Sequence, residues 1–324
     1  MLTPSLSRRH LLGSLAGGAA LAAFGAPRLA AAQTDTASAV RPVIYDRIVG
    51  DARVTVMLDG FFGLDLSLIT NMDPALVKEN LAAAYHDTAG PLPLAISTHL
   101  IRSGDQIILI DAGTGGAFGP TAGRLLSGLD AAGVSPEAVT RVVLTHMHPD
   151  HIGGLLTGEA ATFANASLHV AAPELAFWAD EAAGAAAPET MQPFFAIARG
   201  VKAAYGERVM PFEGDADLGA GLTAMALPGH TVGHTGYRLA SGSDQLLILG
   251  DTAAFAALQF QHPEVGIAFD SDGAMAAETR KKLFTTVAAD KLAVCATHLP
   301  FPAVGHVEIN GDAYAWVPEE WRNL

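Results

Sequence analysis

Short apolar runs rich in β-branched residues recur along the chain and predict buried β-strands. They cover residues 53–58, 95–102, 106–111, 140–145, 167–171, 222–227, 236–240, 246–250 and 291–297. Between the second and third runs, Ser103-Gly104-Asp105 predicts a hairpin turn.

Helices are predicted between the strands. Helix-start signals, a capping side chain or an early proline, occur at Asp73-Pro74, Ser135-Pro136, Pro173 and Asp272. The low-complexity segment 181–190 predicts a flexible connection. Interleaved helices and strands place the chain in the α/β class, with mixed sheets covered by helices. No Pro/Ser-rich linker divides it, so we expect one domain.

The first 32 residues have the pattern of an export signal. Arg8-Arg9 precedes an apolar stretch from Leu11 to about Phe24, and three small residues end at Ala32. Paired arginines are typical of the twin-arginine route. The stretch is short beside the roughly 20 apolar residues of a membrane span. We expect residues 1–32 to be a signal peptide, and residues 33–324 to be periplasmic or secreted without a stable membrane anchor.

Charge and cysteine content narrow the classes of partner and chemistry. The formal net charge is −14 at pH 7, which disfavours nucleic acid because phosphate recognition depends on Lys and Arg. Cys295 is the single cysteine, so no disulfide can form within the chain. It lies in an apolar run, which predicts a buried, inert thiol.

Histidines and aspartates follow the carboxyl ends of five apolar runs, where sites gather in layered α/β folds. These residues are Asp111, His146, His230, Asp251 and His298. Around His146 the chain reads THMHPDHIGG, which adds His148, Asp150 and His151. Five imidazoles and two carboxylates suffice for two divalent ions: His146, His148 and His230 on one, Asp150, His151 and His298 on the other, and Asp251 between them. Such ligands suit zinc first, with Mn, Fe or Co also compatible.

The motifs THMHPDHIGG, LPGHTVGH, LLILGD and THLP resemble the metallo-β-lactamase fold, and the segments around residues 109–155 and 297–307 resemble its methyl parathion hydrolase and lactonase branch. The resemblance extends from about Val54 to Pro318. It implies a four-layer αββα sandwich with two mixed β-sheets and a dinuclear site at one edge. It implies the same division of ligands, and it makes Asp111 the aspartate that orients a ligand histidine.

The chemistry implied is hydrolysis. A hydroxide bridging two metal ions attacks a carbonyl or phosphoryl centre, with Asp150 and Asp251 at the catalytic centre. A Gly-x-Ser-x-Gly nucleophile elbow is absent from the sequence. Two rivals of the same fold are a glutathione-thioester hydrolase and a di-iron redox protein. The first would carry a basic C-terminal region and the second a flavin domain, and the sequence offers neither.

The substrate is indicated by aromatic residues. Phe118, Trp178 and Phe195 resemble positions that line the pocket of methyl parathion hydrolase-like enzymes, which implies a neutral, hydrophobic lactone, aryl ester or organophosphate triester. Ala254 stands where strong acyl-homoserine lactonases often carry tyrosine, which weakens a quorum-quenching role. One of Phe61 and Phe62 is expected to border the site. The relatives also imply a homodimer.

Two further interpretations concern charged groups near these motifs. His234 is expected to hydrogen-bond around the ligand loop rather than to bind metal. The cluster Arg280-Lys281-Lys282 is expected to be a solvated helix face.

Overall fold

A computed structural model describes residues 41–321, and the expected signal peptide at residues 1–32 lies outside this range. The strands in the described range are β1 (Ile44–Val49), β2 (Ala52–Leu64), β3 (Ile69–Thr70), β4 (Leu92–Ser103), β5 (Gln106–Ile110), β6 (Arg141–Val143), β7 (Leu156–Thr157), β8 (Ala160–Ala161), β9 (Ser167–Ala171), β10 (Val209–Phe212), β11 (Ala216–Asp217), β12 (Leu222–Ala226), β13 (Thr235–Ser241), β14 (Asp244–Ile248), β15 (Gly266–Ile267), β16 (Ala293–Cys295), β17 (Val304–Asn310) and β18 (Ala313–Pro318). The α-helices are α1 (Pro74–Ala83), α2 (Leu125–Ala131), α3 (Pro149–Ile152), α4 (Ala172–Trp178), α5 (Glu181–Ala186), α6 (Gln192–Tyr205) and α7 (Gly273–Ala289).

The strands of residues 41–321 form two large mixed sheets of seven strands each. The first has the order β1-β2-β4-β5-β6-β9-β10, and the second has the order β11-β12-β13-β14-β16-β17-β18. Strands β5, β6, β9 and β10 pair in parallel, as do β14 and β16, and the other pairs within these two sheets are antiparallel. Every apolar run identified in the sequence overlaps one of these strands.

The two sheets pack face to face and share one core. In β4, β5 and β6 successive residues alternate between two hydrophobic clusters because neighbouring side chains on a strand point to opposite faces. Ile101 and Val143 belong to the cluster between the sheets, whereas Leu100 and Val142 belong to the cluster beneath the helices. Both faces are therefore buried, which explains why these runs lack polar alternation.

Helices cover both outer faces and complete the four layers. Residues of α2, α4 and α6 pack on the outer face of the first sheet, and Leu283, Phe284 and Val287 of α7 pack on the second. The expected αββα sandwich is confirmed. Within residues 41–321, no helix combines the length and apolar character that a membrane span requires.

Helix signals were mostly confirmed, with two corrections. The Asp73 and Asp272 side chains cap α1 and α7 by accepting hydrogen bonds from Ala75 N and Met275 N. Ser135-Pro136 starts only a three-residue 3-10 turn. Segment 181–190 is not simply a flexible connection, because its first six residues form α5. Alanine favours a helix, and the Asp180 carboxylate caps it by accepting from Ala183 N.

Strand direction places the candidate ligands at one edge of the sandwich. Strands β5 and β6 are parallel in the first sheet. In the second sheet β14 and β16 are parallel, and β12 runs in the same direction because β13 is antiparallel to both β12 and β14. The loops that follow the carboxyl ends of these five strands therefore emerge on common edges.

Candidate metal centre

The seven predicted ligands converge in these loops and are nearly inaccessible to solvent. They are His146 and His148 after β6, Asp150 and His151 in α3, His230 after β12, Asp251 after β14 and His298 after β16. None of these residues has a relative exposure above 8%. Imidazoles and carboxylates buried this deeply require polar or ionic partners, because each costs free energy when desolvated alone.

Three imidazole nitrogens form the first group. His230 Nε2 lies 3.2 Å from His146 Nε2 and 3.1 Å from His148 Nδ1. Two nitrogens at about 2.0–2.1 Å from one zinc ion, at a tetrahedral angle, are roughly 3.3 Å apart. The spacing therefore fits three ligands of a single ion.

The outer ring nitrogens of this group determine where the protons lie. His230 Nδ1 is 2.8 Å from Asp270 Oδ1, a carboxylate oxygen that can only accept. Thr145 donates its hydroxyl proton to Asp111, so its oxygen accepts from His146 Nδ1 at 3.1 Å. Both Nε2 atoms consequently carry lone pairs that face each other. Facing lone pairs repel, and a bound cation removes that repulsion.

The second group consists of Asp150, His151 and His298. Asp150 Oδ2 lies 3.3 Å from His298 Nε2 and 3.6 Å from His151 Nε2. His298 Nδ1 donates to Ala95 O at 2.6 Å, which turns Nε2 toward Asp150 and Asp251. His151 Nε2 is buried and makes no hydrogen bond within residues 41–321. An oxygen and two nitrogens thus point at one position, and this donor set fits a second divalent ion.

Asp251 lies between the two groups. Its Oδ2 is 3.4 Å from His230 Nε2 and 3.0 Å from His298 Nε2, and its Oδ1 is 3.3 Å from His151 Nε2. Oδ1 is buried without a hydrogen-bond partner among the described residues. A carboxylate in contact with both groups has the geometry of a bridging ligand.

Asp111 lies beneath the second group in the position that the resemblance implied. Its Oδ2 accepts from His151 Nδ1 at 2.9 Å, and its Oδ1 accepts from Thr145 N at 2.8 Å. This contact holds the proton of His151 on Nδ1 and directs Nε2 toward Asp150 and Asp251.

The two groups differ in how they hold protons. Burial, with neighbouring imidazoles, lowers the pKa of His146 and His148 well below the ordinary value, so their nitrogens are free to coordinate. Burial would also lower the pKa of His298, but Asp251 and Asp150 outweigh it and raise this pKa to about 10. A metal ion held by Asp150, His151 and His298 would therefore take the place of a proton on His298.

His234 is not a member of either group. Its Nδ1 donates to Leu227 O at 3.0 Å, which leaves Nε2 to accept from the backbone N–H of Asp251 at the same distance. The prediction that His234 hydrogen-bonds around the ligand loop is confirmed.

Two buried acids that support the ligands were missed in the sequence. Glu174 accepts from Met147 N and Gly233 N, both at 2.9 Å, and so joins two ligand loops. Asp270 accepts from His230 Nδ1. Asp270 stands two residues before the Asp272 cap in a polar stretch, and Glu174 stands in the first turn of a helix. Acids are common at both places for reasons unrelated to metal.

A cavity opens over the ligands and has a largely apolar wall; its space is about 610 Å³ with the open solvent at its mouth included. Besides ligands, its wall comprises Phe62, Leu94, Phe118, Pro149, Phe194, Ala254, Gln259, Ile267, Phe269, Asp270 and Arg280. Phe118 is on the wall as expected. Phe62 borders the site while Phe61 is 46% exposed, because adjacent strand residues point to opposite faces.

Trp178 and Phe195 are not on the wall, which corrects the expectation for both. Their rings pack on each other in the helix-covered core, with centroids 4.7 Å apart, and each side chain is 1% exposed. Trp178 Nε1 donates to Glu174 at 2.7 Å. On α6 adjacent residues point about 100° apart, so Phe194 faces the cavity when Phe195 faces the core.

Arg280 also departs from expectation. It is 1% exposed rather than part of a solvated helix face, whereas the side chain of its neighbour Lys281 is 43% exposed. Cys295 is fully buried as predicted, and burial raises the pKa of its thiol.

Comparisons with known proteins agree with this geometry. The model of the Metallo-beta-lactamase superfamily matches residues 91–312. The hydrolase AbOPH, of the beta lactamase superfamily, is 32% identical, with a TM-score of 0.81 over 88% of this chain and 99% of that chain. AidC, a dizinc quorum-quenching lactonase solved with a product, N-hexanoyl-L-homoserine, is 26% identical. Its TM-score is 0.81, and the match covers 87% of this chain and 99% of that chain.

A curated relative is more distant. The probable metallo-hydrolase Rv2300c of Mycobacterium tuberculosis (strain ATCC 25618 / H37Rv) is 28% identical over 199 residues, which are 51% of this chain and 59% of that protein. The chain thus spans less than two thirds of the length of this relative.

Proposed function

Because this chain belongs to the metallo-beta-lactamase superfamily, we propose that it is a dinuclear metallohydrolase that opens lactones and cleaves carboxylic esters. The observation that carries the proposal is the convergence of seven buried ligands, in two groups joined by Asp251, beneath an apolar cavity. We further propose that the same cavity accepts organophosphate triesters, with their hydrolysis as the main or a promiscuous activity.

The proposed ligands are those described above, with zinc as the first candidate ion. Two divalent ions at the site would lower the pKa of a water shared between them and so supply hydroxide for hydrolysis. The residues of the chain hold the geometry: Asp251 keeps the two groups in register, and Asp111 fixes the ring of His151. The buried setting excludes bulk water and strengthens each of these contacts.

The substrate class follows from the cavity wall and from the neighbours. Phe62, Phe118 and Phe194 surround the approach to the ligands, which favours a substrate with an apolar chain or ring. AidC is a lactonase with a similar fold, which supports lactones first. Ala254 lies on this wall, at the place where strong acyl-homoserine lactonases often carry tyrosine, so the proposal covers lactones in general rather than quorum-quenching.

A comparative rate panel tests the proposal. The full chain, loaded with zinc and checked for metal content, is assayed on γ- and δ-lactones with short and long acyl tails, on an aryl ester and on methyl parathion. We expect lactones to lead by at least tenfold and activity to vanish after chelation. Faster methyl parathion turnover would make triester hydrolysis the main activity. If none of these substrates is turned over in a metal-dependent way, the proposed hydrolase function is refuted.

We also propose that the protein is exported and acts as a homodimer outside the cytoplasm. The proposal of export rests on Arg8-Arg9 and the apolar stretch that follows. Fractionation of cells tests it with the wild-type chain and the R8K/R9K double variant. A double variant that still reaches the periplasm would argue against the twin-arginine route. Sedimentation of the purified protein tests the dimer.

A further inference from the structure

Arg280 is a buried cation that the metal centre does not use. It lies on α7 and is 1% exposed. Its Nε donates to Thr252 O at 2.6 Å, and its Nη1 donates to the carbonyls of Pro263 and Val265 at 2.6 and 2.9 Å. Two of the three guanidinium nitrogens are therefore occupied by backbone carbonyls.

The third nitrogen, Nη2, makes no hydrogen bond within residues 41–321, and no carboxylate there lies within 4.0 Å of this guanidinium. Burial lowers the pKa of Arg280 to about 10, partly offset by Asp270 and Glu264, so the group remains charged at neutral pH. Nη2 does not belong to the buried polar atoms that lack a partner among residues 41–321, so this donor keeps solvent access and can meet an acceptor from outside the protein.

The position of Arg280 indicates where such an acceptor would come from. Arg280 is on the wall of the same cavity as His148, Asp150 and His298. It is also anchored to Thr252, the residue directly after Asp251. Since Nε and Nη1 are turned toward backbone carbonyls, Nη2 is the donor that remains for a molecule in the cavity.

Other polar residues of the wall are already engaged. Gln259 Oε1 accepts from Ala254 N and Phe255 N, and its Nε2 donates to Val265 O. Asp270 accepts from His230 and from Ile267 N. Gln259 Nε2 keeps a second N–H group, but it is neutral. Outside the candidate ligands, Arg280 is therefore the charged side chain in the described part of this wall that has a free donor.

We propose that Arg280 is a specificity-determining residue, which donates through Nη2 to an acceptor oxygen in the non-reacting part of the substrate. The cavity then selects substrates that combine an apolar chain with a carbonyl oxygen outside the scissile group. This inference rests on the proposed function. Hydrogen bonds from charged donors are worth roughly 10- to 100-fold in binding.

The test compares two lactones that differ in this oxygen alone as far as possible. N-hexanoyl-homoserine lactone carries an amide carbonyl beside the ring, and α-hexyl-γ-butyrolactone carries an alkyl chain there. In the zinc-loaded full chain, R280M should lower kcat/KM for the amide lactone about 10- to 100-fold, mainly through KM. For the alkyl lactone the loss should stay below about threefold. K281M, an exposed neighbour on the same helix, should leave both rates unchanged.

A binding measurement separates this inference from the proposed function. Calorimetry on the zinc-loaded proteins uses the γ-lactam analogues of both lactones, which resist ring opening. If the wild-type protein binds the amide lactam more tightly than the alkyl lactam and R280M removes this difference, the role of Arg280 is supported. This holds even if no lactone is turned over, because the absence of turnover would refute only the proposed lactonase activity. If R280M loses the same affinity for both lactams, or loses only metal content, the inference is overturned. Arg280 would then serve to support the Asp251 loop.

R280K covers the case in which R280M folds poorly. Lysine keeps the positive charge but lacks the planar fork, so it cannot serve the backbone carbonyls and a ligand together. We expect R280K to stay folded and to lose most of the discrimination. An R280K protein with wild-type discrimination would contradict the inference.

Discussion

Glu174 is the residue whose loss should distinguish the two metal-binding groups. Its side chain is completely buried. Oε1 accepts from Met147 N at 2.9 Å and from Trp178 Nε1 at 2.7 Å, while Oε2 accepts from Gly233 N at 2.9 Å. Met147 lies between His146 and His148, and Gly233 lies in the loop of His230. One carboxylate therefore ties together the loops that carry the three imidazoles of the first group.

The change E174Q preserves shape but removes one acceptor oxygen. The amide oxygen can face Met147 N and Trp178 Nε1, and then the NH₂ group opposes the N–H of Gly233. One buried donor left unpaired costs about 1–3 kcal/mol, and the two remaining hydrogen bonds weaken because their acceptor is no longer charged. We expect the free energy of unfolding to fall by roughly 2–4 kcal/mol. Metal affinity of the first group should fall about 10- to 100-fold.

The assay combines urea denaturation of the metal-free protein with a stepwise competition titration of zinc. The second group has no hydrogen bond to Glu174 among the described residues, so its affinity should change by less than about threefold. E181Q, at an exposed glutamate in α5, is the matched control and should match wild type. Unchanged stability in E174Q, or an equal loss of affinity in both groups, would refute this reasoning.

Three further predictions use the same preparations. In D111N the amide cannot accept from His151 Nδ1 and also from both the backbone N–H and the hydroxyl of Thr145. The affinity for zinc should therefore fall about 10- to 100-fold. A zinc titration unchanged from wild type would contradict the positioning role of Asp111. Because the pKa of His298 is raised to about 10, this imidazole is protonated in the metal-free protein at pH 6–8, and zinc must displace the proton. The affinity for zinc should therefore fall about tenfold for each unit by which the pH is lowered, per proton displaced. Calorimetry in buffers of different ionisation enthalpy should detect the released proton. Zinc binding without proton release would contradict this prediction. F195A should lose about 3–5 kcal/mol of stability as a core deletion, whereas F194A should mainly raise KM for apolar substrates; the reverse pattern would contradict the assignment of the cavity wall.

Much of the fold was accessible from the sequence because its signals are local. Apolar runs identified the strands of both sheets, and a histidine or aspartate soon after the run was visible without knowledge of the topology. His146, His148, Asp150 and His151 lie within one short segment, so their chemistry could be inferred from spacing alone. Strand direction then determined which loops share an edge.

The residues that sequence reasoning missed have partners far along the chain. Asp270 meets His230 across 40 positions, and Arg280 meets Thr252 across 28. Nothing local separates such a group from a helix cap or a solvated helix face. The error at Phe195 has another cause. Phe195 was assigned to the pocket by resemblance to the family's aromatic positions, and a shift of one residue rotates a helical side chain by about 100°.

The most direct test of the central claim is the metal content of the full chain and of D251N, measured together with hydrolysis. The two groups joined by Asp251 predict two zinc ions per wild-type chain, loss of activity on chelation and recovery on zinc addition. D251N should hold at most one ion per chain and should lose hydrolysis. A D251N protein with normal turnover, or a wild-type chain fully active with one ion, would contradict the dinuclear account.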